Sequence, residues 1–143
     1  MTIAIDFDGT IVEHKYPAIG EEKPFATDTL RMLIKDRHKL ILWTVREGEL
    51  LEEAVDWCRE RGVEFYAINR DYPEEKLENN NHFSRKVKAD IFIDDCNIGG
   101  LPDWGQIYQM VTEKKTYRDL LREASRKSSL QYDTPSKKHW WEF

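Results

Sequence analysis

Two hydrophobic periods alternate along this chain. Residues 2–7 are short, apolar and β-branched and run into Asp8-Gly9-Thr10, which predicts a strand ending in a turn. Residues 11–24 carry Pro17, Gly20 and Pro24 among charged side chains and read as a loop or small hairpin. Ala26, Leu30, Leu33 and Ile34 then recur at helical spacing, predicting a helix to about Arg37. Residues 39–45 are almost continuously apolar, as in a strand buried on both faces. Leu50, Leu51, Ala54, Val55 and Cys58 mark a second helix, with Gly62 as its stop. Residues 63–68 predict a third strand, 89–93 a fourth and 107–111 a weaker fifth. Thr116-x-x-Asp119 has the form of a capping box opening a last helix through Leu120, Leu121 and Ala124. Asn79-Asn80-Asn81-His82 reads as loop. Residues 126–143 turn to Ser, Lys and aromatics and read as a tail behind a core of residues 1–125.

Strands alternating with helices predict an α/β fold: a Rossmann-like parallel sheet of about five strands with helices on both faces. Such sheets bind ligands at the carboxyl ends of their strands, near the point where strand order reverses. Asp6 and Asp8, Thr44, and Asp94 and Asp95 are therefore expected to share one edge.

Composition narrows the classes. A chain of 143 residues is one domain's length and can bury a core without staples. Its 22 basic and 27 acidic side chains give a net charge of −5, which argues against general binding to nucleic acid. The Lys137, Lys138 and Trp140-Trp141 stretch is read as tail rather than as a stacking surface. No run reaches the ~18 apolar residues of a membrane span, and residues 1–6 lack a signal-peptide pattern. Cys58 and Cys96 form no CxxC or Cys/His cluster, so a reducing cytoplasm is the expected compartment. Cys58 reads as core and Cys96 as a small loop residue; Trp104 reads as a packing anchor.

The chemistry concentrates in carboxylates. Asp6 and Asp8 close a buried strand, and Asp94-Asp95 closes another. Ionised together they demand a cation. Ligation by oxygen alone points to Mg²⁺ rather than Zn²⁺. Beside such a site Asp6 is a nucleophile able to form an acyl phosphate. Asp8 could protonate the leaving group and then activate water. Thr44 and a lysine would hold the oxygens of the transferring phosphoryl group. Arg46 either meets a phosphate or anchors the loop after the second strand.

Asp6-Phe7-Asp8-Gly9-Thr10, Thr44, a lysine at 86 or 88, and Asp94-Asp95 occur in an order that resembles the haloacid dehalogenase-like hydrolase superfamily over residues 1–112. The resemblance implies Asp6 as nucleophile and Asp8 as general acid/base. Mg²⁺ would be held by Asp6, the Asp8 main-chain carbonyl and Asp94 or Asp95. It favours Lys86 for the phosphate-binding lysine. Within that superfamily, Asp two residues after the nucleophile goes with phosphatases and phosphomutases, Thr with the ion-pump branch, so Asp8 implies phosphoryl chemistry. The short segments after Thr10 and before residue 90 leave no room for a cap domain. An open site suits a phosphorylated substrate that is large or macromolecular, or a cap lent by a second copy in a homo-oligomer. Glu13, His14 and Tyr16 fall where the family's short flap overhangs the site. Two alternatives remain: a phospho-accepting receiver-like signalling domain, whose acidic pair and acceptor come in a different strand order, and a binding protein that kept this fold without the activity.

Overall fold

The computed structural model describes residues 1–76 and 84–132. The loop at 79–82 and residues 133–143 of the tail, with Lys137, Lys138, Trp140 and Trp141, lie outside the described residues.

The four apolar runs each give a strand: β1 is Thr2–Ile5, β2 Lys39–Leu42, β3 Ala67–Ile68 and β4 Ile91–Ile93. All three pairings are parallel and the order is β3-β2-β1-β4. Ile3, Ile5, Leu40 and Leu42 are wholly or almost wholly buried, which accounts for runs without polar alternation. The ladders are shorter than the runs, but their ends stay tied. The Trp43 N–H donates to the Ile5 carbonyl at 2.8 Å, and Tyr66 N–H to the Leu40 carbonyl at 2.8 Å.

Helix α1, Ala26–Lys35, buries Leu30 and Leu33 and has no side-chain cap on its N-cap residue, Phe25. Glu22 supplies the cap from outside, accepting from the Thr27 amide at 2.8 Å and from its hydroxyl. Helix α2, Gly48–Glu60, buries Ala54 and Cys58. It ends as Gly62 predicts: Gly62 takes a φ of +78°, and its N–H and that of Val63 donate to the carbonyls of Arg59 and Cys58. Those two bonds make a Schellman stop.

The sheet has four strands rather than about five. Residues 107–111 belong to helix α3, Trp104–Glu113. Ile107 and Val111 are four apart, a helical spacing, and the start signal lies just upstream in Asp103-x-x-Gln106. The Asp103 carboxylate accepts from the Gln106 amide at 2.8 Å, and the Gln106 side chain accepts from the Asp103 amide at 3.2 Å. A second compact unit begins at Gln109, the first being Met1–Tyr108. In it, helix α4 (Tyr117–Tyr132) opens with the expected capping box. The Asp119 carboxylate accepts from the Thr116 amide at 2.9 Å, and Thr116 Oγ1 accepts from the Asp119 amide at 3.3 Å. Residues 126–132 of the stretch read as tail are thus helical. Lys115 pairs with Glu113 and Glu123 at 2.7 Å each.

The topology decides where a ligand can sit. From β1 the chain moves outward to β2 and β3, then returns to lay β4 on the other side of β1. The strand order reverses between β1 and β4.

Candidate active site

Parallel register brings the acidic residues together. Ile5 pairs with both Leu42 and Ile93, so Asp6, Trp43 and Asp94 are the next positions on three adjacent strands. The Asp6 amide donates to the Ile93 carbonyl at 3.0 Å, tying the end of β1 to the base of Asp94. Asp6 and Asp94 thus flank the switch point, and Thr44 lies one residue further along the same edge.

The turn after β1 draws Asp95 in. Gly9 has a φ of +84°, and a Cβ placed on it would stand 2.4 Å from Asp95 Oδ2. Glycine is needed there twice over, for the backbone angle and for the approach of the carboxylate. Thr10 is fully buried and is the hub. Its Oγ1 lies 2.9 Å from Asp6 Oδ2 and 3.1 Å from Asp95 Oδ1, and it accepts from the Asp95 amide at 3.0 Å. One hydroxyl hydrogen serves one carboxylate at a time. A further proton or a cation is needed to settle the rest.

The Asp6 carboxyl answers to that shortage. Burial, opposed by the Thr10 hydrogen bond and reinforced by the charge of Asp94 and by Asp95, pushes it up to about 7 from an ordinary 3.8. Asp94, Asp95 and Cys96 bring ligand atoms within 4.8 Å of one another. The charges of Asp95 and Asp94 raise the Cys96 thiol, keeping it protonated and a poor ligand. The donors that remain are carboxylate oxygens, a set that fits a hard dication.

Asp8 faces elsewhere. Arg46 Nε donates to its Oδ2 and Nη2 to its Oδ1, both at 2.7 Å, with the Arg46 side chain wholly buried. The other Arg46 donors reach the carbonyls of Pro17 at 3.1 Å, Leu50 at 3.4 Å and Ala18 at 2.9 Å. With every N–H engaged, Arg46 is not placed to bind a phosphate. Of the two roles open to it, it takes the anchoring one. The Asp8 carboxylate is likewise bound to Arg46, leaving its main-chain carbonyl as the oxygen open to a metal.

Thr44 is held at the edge by two bonds. Its amide donates to Asn69 Oδ1 at 2.8 Å, and its Oγ1 accepts from the Arg46 amide at 3.1 Å, leaving the hydroxyl hydrogen for an incoming oxygen. Lys86 is exposed, with its ammonium 5.2 Å from the centre of the Phe92 ring rather than on Asp6 or Asp94. Lys88 is also exposed, and its amide donates to Asp71 at 2.6 Å. Glu13, His14 and Tyr16 are exposed on a loop closed at its base by an antiparallel bridge between Val12 and Glu22. Gly20 is required in it, since a Cβ would fall 2.0 Å from the Glu13 carbonyl oxygen.

The supporting roles of three residues escape a reading by motif, although Thr10 itself belongs to the first motif. Asn69, at a φ of +52° just after β3, fixes the Thr44 amide. The Thr10 hydroxyl joins two carboxylates. Trp104, buried as expected of an anchor, also donates from Nε1 to the Thr10 carbonyl at 3.1 Å. An Asn directly after a short strand was the available signal for Asn69.

The solved structure of a conserved protein from Bacteroides thetaiotaomicron is similar to this chain, at 67% identity and a TM-score of 0.79. The match covers 84% of this chain and 96% of that one. No family model matches the chain, and no curated protein matches it. Among the described residues no helix is long and apolar enough to cross a membrane.

Proposed function

We propose that this chain, which belongs to the same family as that Bacteroides protein, is a Mg²⁺-dependent phosphatase of the haloacid dehalogenase-like type. The observation that carries the reading is the union of Asp6 and Asp95 on one threonine hydroxyl beside Asp94, at the reversal of strand order. Asp6, Asp94 or Asp95, and the Asp8 carbonyl would hold the ion. When bound, Mg²⁺ keeps these carboxylates ionised and shields phosphate oxygens from them.

Asp6 is the group free to attack. One of its oxygens is oriented by Thr10 and the other is left for phosphorus. Attack forms the Asp6 acyl phosphate and breaks the ester bond, and the departing alkoxide takes its proton from Asp8, which must be protonated and turned from the Arg46 pair to reach it. Water then attacks the same phosphorus, Asp8 takes its proton, and inorganic phosphate leaves with Asp6 restored. Thr44 donates its hydroxyl hydrogen to an equatorial phosphoryl oxygen. Lys86 supplies charge to the phosphate by swinging off Phe92, a movement its four-carbon stem allows.

Access supports a capless site. Between Thr10 and α1 the chain forms only the bridged loop, and the described residues between β3 and β4 hold no helix or strand. Such a site takes a large or macromolecular phosphate ester. The free thiols Cys58 and Cys96 suit a reducing compartment. The test is a panel of phosphate monoesters assayed with Mg²⁺, with EDTA, and with Asp6→Asn as blank. Hydrolysis that needs both Mg²⁺ and Asp6 is expected; full activity in EDTA contradicts the proposal.

A further inference from the structure

We infer that Val45 and Ile98 are specificity-determining residues, a pair of apolar jaws on either side of Asp6 that select a phosphate monoester whose leaving group is an alkyl or aryl chain. The inference rests on the phosphatase reading and deepens it. A lone exposed aliphatic side chain needs no explanation; the placement of these does. Val45 is 88% exposed and Ile98 fully so. Among the described residues of Met1–Tyr108, the large apolar side chains more than half exposed are these two and Phe25. All three lie at the carboxyl end of the sheet. Val45 directly follows Thr44, and Ile98 comes three positions after Asp95. Phe25 opens α1, whose far end returns the chain to Lys39, bonded to Met1 at the opposite end of the strands.

Both side chains are held outward by closed turns. Thr44 Oγ1 accepts from the Arg46 amide at 3.1 Å, which makes Val45 the apex. The Gly100 amide donates to the Asn97 carbonyl at 2.9 Å, so Ile98 is the first central residue of a β-turn. Asn97 Nδ2 donates to the Asp94 carbonyl at 2.8 Å, bracing that turn on the acidic pair. Such apices ordinarily take Asn, Asp, Ser, Gly or Pro, which suit the local backbone; a β-branched aliphatic side chain there adds nothing to the fold. A local rule broken without structural gain is expected where a ligand is met. The reaction puts the leaving group between the two turns. Asp6 attacks in line, so the departing oxygen lies on the side of phosphorus away from Asp6, outward from the edge. Strands β2 and β4 are separated by β1 alone, about 10 Å apart, a gap that one hydrocarbon chain or ring fills. A Cβ on Gly99 or Gly100 would meet nothing within 4 Å, so the space beside Ile98 is open.

Primary alkyl phosphates share one leaving-group chemistry and differ only in apolar length, so they isolate the contact. With Mg²⁺, wild type should show a kcat/KM for hexyl phosphate on the order of tenfold above that for ethyl phosphate, as the added methylenes become half-buried. Replacing both residues, Val45→Ser with Ile98→Ser, should bring the two esters to within about twofold of each other and leave ethyl phosphate within about twofold of wild type. Both side chains are exposed, so the fold carries the changes. Met32→Ser, at an exposed position on α1, is the control and should keep the preference for the longer chain. A wild type without that preference, a double variant that keeps it, a loss equal on both esters, or the same loss in the control overturns the inference and leaves the phosphatase reading standing. Hydrolysis of neither ester by wild type fails the phosphatase reading, and this inference with it.

Discussion

Replacing Asp6 with asparagine should stabilise the metal-free protein at alkaline pH. Asp6 keeps its proton to about pH 7 in the folded chain, against an ordinary 3.8 when unfolded, chiefly because burial disfavours the anion. The folded state therefore binds the proton more tightly. Its contribution to stability is complete below pH 3.8, declines as pH rises and is lost above 7. The interval corresponds to about 4 kcal/mol at ~1.4 kcal/mol per pH unit. The carboxyl is only half-buried, and solvent screening reduces the figure to about 2 kcal/mol. Asparagine keeps the shape and the acceptor for Thr10 but never charges. In EDTA at pH 8, Asp6→Asn should thus melt about 4–8 °C above wild type, by the ~2–4 °C per kcal/mol usual at this size. The difference should close as the pH is lowered to 4. Thermal denaturation followed by circular dichroism at intervals between pH 4 and 8 measures it. An Asp6→Asn protein no more stable than wild type at pH 8, or a gap independent of pH, refutes the argument that Asp6 sits among uncompensated carboxylates.

Other consequences follow from neighbouring contacts. Asp8→Ala leaves Arg46 as a buried unpaired cation and should cost about 3–5 kcal/mol in urea denaturation. Asp8→Leu combined with Arg46→Met should recover part of that loss, and failure to do so would show that the carbonyl contacts matter more than the pair. Gly9→Ala should lower stability by at least the ~1–2 kcal/mol of a left-handed residue, and displacement of Asp95 should weaken the Mg²⁺ dependence of any hydrolysis; urea denaturation and a Mg²⁺ titration check both. Iodoacetamide should label Cys96 but not Cys58 in the native protein, because burial pushes Cys58 up to about 12. Cys96 should react slowly, since Asp95 and Asp94 hold its thiol protonated. Peptide mapping showing native label on Cys58 would contradict its buried placement.

The sheet was legible in the sequence because buried parallel strands leave continuous apolar runs, as at Lys39–Leu42, and because Gly62 has one job at a helix end. The fifth strand failed for the same reason that the others succeeded. A segment of five residues, apolar but for Gln109, carries no length with which to separate strand from helix, and the deciding signal was the Asp103/Gln106 capping box outside it. The site was legible as motif positions whose register on one edge follows from parallel pairing. Its partnerships were not. Nothing in Asp8 or Arg46 alone says that they pair across 38 positions, nor that Thr10 bridges Asp6 to Asp95, because such contacts are made by the fold. Lys86 shows the converse limit: spacing placed it near β4, while its ammonium rests on Phe92.

The central claim, that Asp6 carries the phosphoryl group, is tested most directly by trapping that group. The wild-type protein turning over p-nitrophenyl phosphate with Mg²⁺ is quenched in acid, reduced with borohydride and mapped by mass spectrometry. An acyl phosphate on Asp6 is reduced to homoserine at that position, which is the expected result. Homoserine at Asp8, Asp94 or Asp95, or an unaltered Asp6 from an enzyme shown to be turning over, would contradict it.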